Sequence, residues 1–291
     1  MATAPLRPLP DFLVIGAKRG GTTSLYRALE AHRNVLPLVP SSRILPLREN
    51  SKGVHYFDTG YHHGPTWYRS HFATGVARRL VVRGTGASAV TGEASPYYLF
   101  HPNAAERAAS LVPGAKIVVL LRDPVERARS HFSEQRRNGV EALTFEEALE
   151  AEPLRLAGEV ERMQRDPSYV SFAHEHQSYL AQSAYSDSLS RWLGRFPDDQ
   201  VCVVCSEELY ARPEEQVGRV LAFLGLGPGP GVASGGRPPG LGVHNAAPRP
   251  PVPEALRRRL EAHFEADVAL LEQLTGRSFP WPADRALDRR P

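Results

Sequence analysis

Lysine is almost missing from this chain. Of 35 basic side chains among 291 residues, three are lysine: Lys18, Lys52 and Lys116. Cysteine is equally scarce, with two residues, Cys202 and Cys205. Two cysteines exclude a disulfide framework, and no second pair is present to complete a zinc site. No apolar run approaches the roughly 20 residues that cross a bilayer. The opening Met1-Ala-Thr-Ala-Pro-Leu-Arg-Pro has no apolar signal-peptide core. The net charge of +3 is too small for a nucleic-acid binder. These absences predict no nucleic-acid partner, no stable membrane insertion and a cytoplasmic location. They carry no signal for an oligomeric state.

What is present is ample core material, with 42% hydrophobic residues. One α/β domain over 1–291 is the simplest organisation, with a tail at 1–10. Apolar strand patterns fall at 11–15, 87–93, 116–121 and 201–205. Helical spacing falls at 22–32, 103–111, 125–138, 144–151, 172–182, 185–195, 213–224 and 254–274. This alternation predicts a three-layer fold, a central parallel sheet flanked by helices. Residues 36–75 are weakly periodic and predict an acceptor-side loop region. Residues 225–245 form a Gly/Pro-rich loop. Pro253 to Thr275 predicts a C-terminal helix, with Leu256, Leu260, Phe264, Val268 and Leu271 on one core-facing side.

The cysteines lie in Gln200-Val-Cys-Val-Val-Cys-Ser, a C-x-x-C inside a strand pattern. Residues three apart on a strand face opposite sides. With no helix start expected after them to acidify a thiol, two buried reduced cysteines are predicted. His62-His63, adjacent in a polar segment, reads as a solvated pair rather than a metal site.

The richest stretch is Phe12-Leu-Val-Ile-Gly16-Ala-Lys18-Arg19-Gly20-Gly21-Thr22-Thr23-Ser24-Leu25. A buried strand runs through a glycine turn into a helix, which makes an anion site from backbone N–H groups and the helix dipole. Gly16 and Gly21 keep the spacing of a nucleotide P-loop. Thr22, however, stands where the P-loop lysine belongs, and the cation lies upstream at Lys18. The usual grip on a γ-phosphate and its Mg²⁺ is therefore lost. A second strand, Lys116 to Leu121, runs into Arg122-Asp123-Pro124 and a helix on which Ser130 lies two turns further along. Arg122 and Ser130 can converge on one anion.

Together these motifs resemble the sulfotransferases that use 3′-phosphoadenosine-5′-phosphosulfate, PAPS. The first is similar to their 5′-phosphosulfate loop and the second to their 3′-phosphate site. Lys52-Gly-Val-His55-Tyr-Phe-Asp58 and Gly92-Glu93-Ala-Ser95-Pro-Tyr-Tyr98 resemble the carbohydrate branch, which includes heparan sulfate sulfotransferases. Ser206-Glu-Glu-Leu-Tyr210 and Val220 to Leu226 are similar too, so that the likeness covers about 11–282. Heavy Arg, Ala, Pro and Gly usage fits a bacterial member.

The resemblance implies a P-loop-like fold and sulfuryl transfer from PAPS to a hydroxyl of a carbohydrate, glycolipid or natural product. It implies Lys18 at the bridging and sulfuryl oxygens. Arg19, Gly20, Gly21, Thr22, Thr23 and Ser24 would hold the 5′-phosphate, and Arg122 and Ser130 the 3′-phosphate. Residues 237–245 would close over the nucleotide. Sulfuryl transfer has no inherent need of a metal, and none is expected. Two positions depart from the relatives: Gly53 stands where a glutamate is common, and Ala94 where a lysine is. His55, with an ordinary pKa near 6.5, becomes the expected base, with Glu93 or Glu49 in reserve. Tyr56, Trp67, Tyr97 and Tyr98 are candidates to stack on an acceptor. The competing readings are a small-molecule P-loop kinase and a non-catalytic nucleotide-binding protein on the same fold.

Overall fold

The computed structural model describes residues 4–39, 52–229, 238–242 and 251–281. The chain begins with β1 (Phe12–Gly16), α1 (Thr22–Glu30) and β2 (Val35–Leu36). Next come α2 (Gly64–Arg69), α3 (Gly75–Thr85), β3 (Val90–Ala94), α4 (Ala104–Leu111), β4 (Lys116–Leu121) and α5 (Pro124–Arg137). Helices α6 (Phe145–Leu156), α7 (Glu159–Arg165), α8 (Phe172–His176) and α9 (Ser186–Leu193) lead to β5 (Val201–Cys205). The chain continues through α10 (Ser206–Ala211), α11 (Pro213–Phe223) and α12 (Glu254–Thr275).

The strands form a five-stranded sheet in the order β2-β3-β1-β4-β5. Every neighbouring pair is parallel. A parallel sheet needs cover on both faces, and the alternating strand residues supply it. Leu13, Ile15, Ile117, Val119 and Cys205 point to one side, with buried residues of α4, α5, α6, α9 and α12. Phe12, Val14, Val118, Cys202 and Val204 point to the other, with α1, α10 and α11. The five expected residues of α12 are all buried. This is the three-layer arrangement predicted, and it leaves the carboxyl ends of the strands open for a site.

Local structure departs from the sequence reading in several places, among them α7 and the short β2, neither of which was expected. The helix expected over 172–182 stops at His176. Buried Glu152 accepts the backbone N–H groups of Tyr179, Leu180 and Ala181 at 2.7–2.8 Å, so that stretch turns instead of continuing. Part of the expected 36–75 loop is helical, with α2 started by Gly64-Pro65. Helix α3 was not anticipated: none of its residues is fully buried, and only Ala77 and Val81, half-buried against Leu36, Ala73 and Ala89, mark its inner side. Finally, a helix does begin directly after Cys205. The thiol is nonetheless pushed up to about 12, first by burial and then by the charge of Glu207. Both cysteines are free and buried. Residues 230–237 and 243–245 of the Gly/Pro loop lie outside the described residues, as does Glu49.

Gly92 of β3 pairs with Phe12 of β1. A Cβ there would meet the Phe12 carbonyl oxygen at 2.5 Å and its ring at 2.6 Å. Gly92→Ala should therefore cost about 1–3 kcal/mol through overpacking, read as a lowered urea midpoint at constant slope.

Candidate active site

Four strands release their chains into one cavity of about 730 Å³. After β1 come Lys18, Arg19 and Gly21 to Ser24; after β3, Pro96 and Tyr97; after β4, Arg122; after β5, Ser206, Glu207 and Tyr210. The glycines of the turn are there for space. A Cβ on Gly20 would lie 2.6 Å from the Leu120 carbonyl oxygen. Gly21 takes a left-handed φ of 97° and starts α1 with no side-chain cap. The first N–H groups of α1 are thus left for an anion.

Cations gather around that helix start. The Lys18 ammonium lies 3.3 Å from the Glu175 carbonyl oxygen and 3.5 Å from its Oε1. Burial holds the Lys18 pKa below its usual value, partly offset by Glu175 and Glu134. Arg19 reaches across the cavity, donating Nε–H to Ser130 Oγ at 3.1 Å and pairing with Glu134 at 2.6 Å. Arg122 lies 3.7 Å from Glu126. Lys52 donates to Thr22 Oγ1 at 2.8 Å. The ammonium missing from position 22 is thus supplied beside it by another segment. Burial lowers Lys52 to about 7, reinforced by Arg27 and Arg19.

His55 stands at the other side, its side chain 43% exposed. Its Nδ1 lies 2.9 Å from Asp58 Oδ2. Burial works to lower the imidazole pKa, but the hydrogen bond and charge of Asp58 outweigh it and the pKa is raised. With Nδ1–H given to Asp58, Nε2 is the atom left to take a proton. Among the described residues, His55 (φ 55°) and Arg19 (φ 71°) are the non-glycine residues with left-handed backbone. Both line the cavity, so the backbone strain, about 1–3 kcal/mol at each, is concentrated at the site.

A model described as the sulfotransferase family matches residues 10–227. The chain belongs to the sulfotransferase family. It is 29% identical to human heparan sulfate glucosamine 3-O-sulfotransferase 6, over 94% of this chain and 74% of that protein. It is 32% identical to human bifunctional heparan sulfate N-deacetylase/N-sulfotransferase 3, over 76% of this chain but 23% of that much longer protein. The crystal structure of a sulfotransferase from Alicyclobacillus acidocaldarius aligns with a TM-score of 0.60 at 29% identity, covering 94% of this chain and 98% of that one.

The expected site residues of this sulfotransferase do not all meet. Lys18, Arg19, Gly21 to Ser24, His55, Arg122 and Ser130 share the cavity. Gly20 sits beneath it, against the β4 backbone. Glu93 does not line it. Fully buried, its carboxylate accepts Val54 N–H (2.6 Å), Ser95 Oγ–H (2.7 Å), Tyr68 Oη–H (2.7 Å) and Tyr98 Oη–H (2.9 Å). With its acceptor sites taken, it positions the 54–58 segment rather than moving a proton. Of the four aromatic candidates, Tyr97 lines the cavity. Tyr56 and Tyr98 are core, and Trp67 packs against that core. His62 and His63 are exposed.

Sequence reasoning missed Glu134, Glu175, Glu207 and Tyr210, all of which line the cavity. Glu134 was accessible to it, lying one helical turn beyond Ser130. Gly53 also gains a reason. A Cβ there would lie 2.5 Å from the Ala94 carbonyl oxygen and 2.6 Å from Ser95 Oγ, so this backbone path admits no glutamate. Glu93→Gln should destabilise the sulfotransferase by about 1.5–3 kcal/mol, the range for hydrogen bonds to a charged group, measured by urea denaturation.

Proposed function

We propose that this sulfotransferase transfers the sulfuryl group of PAPS to a hydroxyl of a carbohydrate, or of a glycolipid or natural product carrying one. The observation that carries the reading is the convergence of the α1 N-terminus, Lys18, Arg19, Lys52, Arg122 and Ser130 on one cavity. One phosphate would need only part of this set; a donor phosphorylated at both ends of a nucleoside uses all of it. The 29% likeness to a heparan sulfate 3-O-sulfotransferase supports a sugar hydroxyl as acceptor.

In this reading the 5′-phosphate rests on the α1 start, with Thr22 to Ser24 and Lys52. The 3′-phosphate lies between Arg122, Ser130 and Arg19. The acceptor oxygen attacks sulfur in line with the bond to the 5′-phosphate. That bond breaks, its electron pair stays on the phosphate oxygen, and 3′,5′-adenosine bisphosphate leaves. Lys18 follows the charge growing on the bridging oxygen, since a compact ammonium can move with it. His55 Nε2 takes the acceptor proton, and Asp58 stabilises the imidazolium formed. Residues 1–291 act as one domain, a reading supported by a core that runs from Leu13 to Trp281. The segment 238–242 belongs to the nucleotide side, since Ser24 Oγ donates to the Gly242 carbonyl oxygen at 2.6 Å. A kinase reading is not favoured, because the chain belongs to the sulfotransferase family and Arg122 and Ser130 add to the cavity a second anion site that a nucleoside triphosphate would not use.

Two measurements test this. Saturating 3′,5′-adenosine bisphosphate should stabilise the protein, by about 2.7 kcal/mol at a hundredfold excess over Kd, whereas ATP with Mg²⁺ should not raise Tm. The reverse pattern would restore the kinase.

The pH profile of kcat/KM follows from two groups of the free enzyme. His55 works as neutral imidazole, so activity is lost as pH falls through its raised pKa. Lys52 works as ammonium, so activity is lost as pH rises through about 7. A narrow bell is expected. Asp58→Asn should move its acid limb to lower pH, and Lys52→Arg its alkaline limb to higher pH. His55→Ala should cost about 10²–10⁴ in turnover, and near-normal turnover would remove His55 as the base.

A further inference from the structure

Helix α3 holds three large apolar side chains outside the core: Val76 is 64% exposed, Leu80 62% and Val82 38%. It meets the rest of the protein through Ala77 and Val81, half-buried against Leu36, Ala73 and Ala89. Arg78 fastens it further by pairing with Asp11 at 2.7 Å. Val76, Arg79, Leu80 and Arg83 follow at spacings of three and four, so they share the face turned away from Val81. All four are exposed. Residues 71–89 contain no aspartate or glutamate. Exposed Arg33 stands at the far end of the helix, where its neighbour Asn34 donates Nδ2–H to Thr85 Oγ1 at 2.8 Å.

The chemistry of this face narrows what it can meet. Val76 and Leu80 leave water only against another apolar surface. Arg79 and Arg83, beside them, call for anions. An anionic lipid surface supplies both, one above the other. Its acyl boundary takes the aliphatic pair, and its phosphates take the guanidinium groups at the ends of their apolar stems. A sulfated or carboxylated glycan would use the arginines but would bury neither Val76 nor Leu80. A second copy docked by a two-fold axis would set this basic face against itself. Among the described residues no helix is long and apolar enough to cross a membrane, so the contact is with the surface of the bilayer.

We propose that α3 docks this sulfotransferase reversibly on membrane surfaces that carry anionic phospholipid. The docking is independent of the donor reading, since it needs no nucleotide. Of the acceptor classes proposed above, a glycolipid is the one that such docking brings to the protein.

The test is co-sedimentation of the full chain with vesicles of phosphatidylcholine, alone or mixed with phosphatidylglycerol. The chain should sediment with the mixed vesicles and not with the neutral ones. Arg79→Ala and Arg83→Ala should each weaken binding about fivefold, the equivalent of about 1 kcal/mol per basic residue at a membrane surface. Val76→Ser combined with Leu80→Ser should weaken it about tenfold or more. Tm, measured for each variant, should hold, because the altered side chains face water. Arg258→Ala, on α12 with a side chain 72% exposed, should bind as the parent does. Absence of binding to the mixed vesicles would overturn the inference. So would an equal loss in Arg258→Ala, which reports net charge alone, or full binding by the serine variant, which reports a site for polyanions. Self-association of the parent chain that the same α3 variants abolish would assign the face to a second copy and overturn it too.

Discussion

Glu93 is the interaction on which the rest of the site depends. A carboxylate with no exposed surface is costly unless each lone pair is met, and here four donors meet them. Those donors arrive from the turn after β3, from α2 and from the 52–58 segment. Tyr98 extends the hub, since its hydroxyl also accepts the N–H groups of Tyr56 and Phe57. Ser95 Oγ extends it again by accepting the His55 N–H. A segment without regular secondary structure is thereby fixed to the sheet residue by residue. His55 keeps a left-handed backbone because its neighbours on both sides are tied down.

The same clamp explains the glycine at position 53. The Ala94 N–H donates to the Lys52 carbonyl oxygen at 2.7 Å, so the segment lies almost in contact with the end of β3. That closeness sends Lys52 back over the α1 N-terminus to Thr22. The Lys52 ammonium beside Thr22 and the absent side chain at Gly53 are thus two results of one close approach. Three cations of the cavity pair with carboxylates: Lys18 with Glu175 and Arg19 with Glu134 inside it, and Arg122 with Glu126 outside its lining. An entering anion exchanges partners with these carboxylates instead of meeting bare charge.

The parts of the fold legible in the sequence were those whose signal is local. β1 with its glycine turn, and β4 with Arg122-Asp123-Pro124, join an apolar run to a helix start, and each contributes to the cavity. Ser130 could be placed because helical spacing is regular. The role of Glu93 was not legible, because it depends on donors from three separated segments, Val54, Tyr68 and Tyr98. Glu175 comes from a short helix with no motif of its own, and Tyr210 ends a segment whose likeness to the family carried no role; only tertiary packing brings them to Lys18 and Ser24. Helix α3 escaped because it half-buries only Ala77 and Val81, and the break at Gln177 because the competing acceptor, Glu152, lies far upstream in the chain.

The two cysteines on β5 carry a consequence of a different kind. Cys202 belongs to the apolar layer on one face of the sheet and Cys205 to the layer on the other. The sheet itself stands between the two thiols, so the C-x-x-C cannot close while the strand keeps its place. Burial keeps both thiols protonated, the poorer nucleophiles and metal ligands. The fold therefore draws no stability from oxidation and has none to lose to a reductant. A disulfide reductant would thus leave its architecture unchanged.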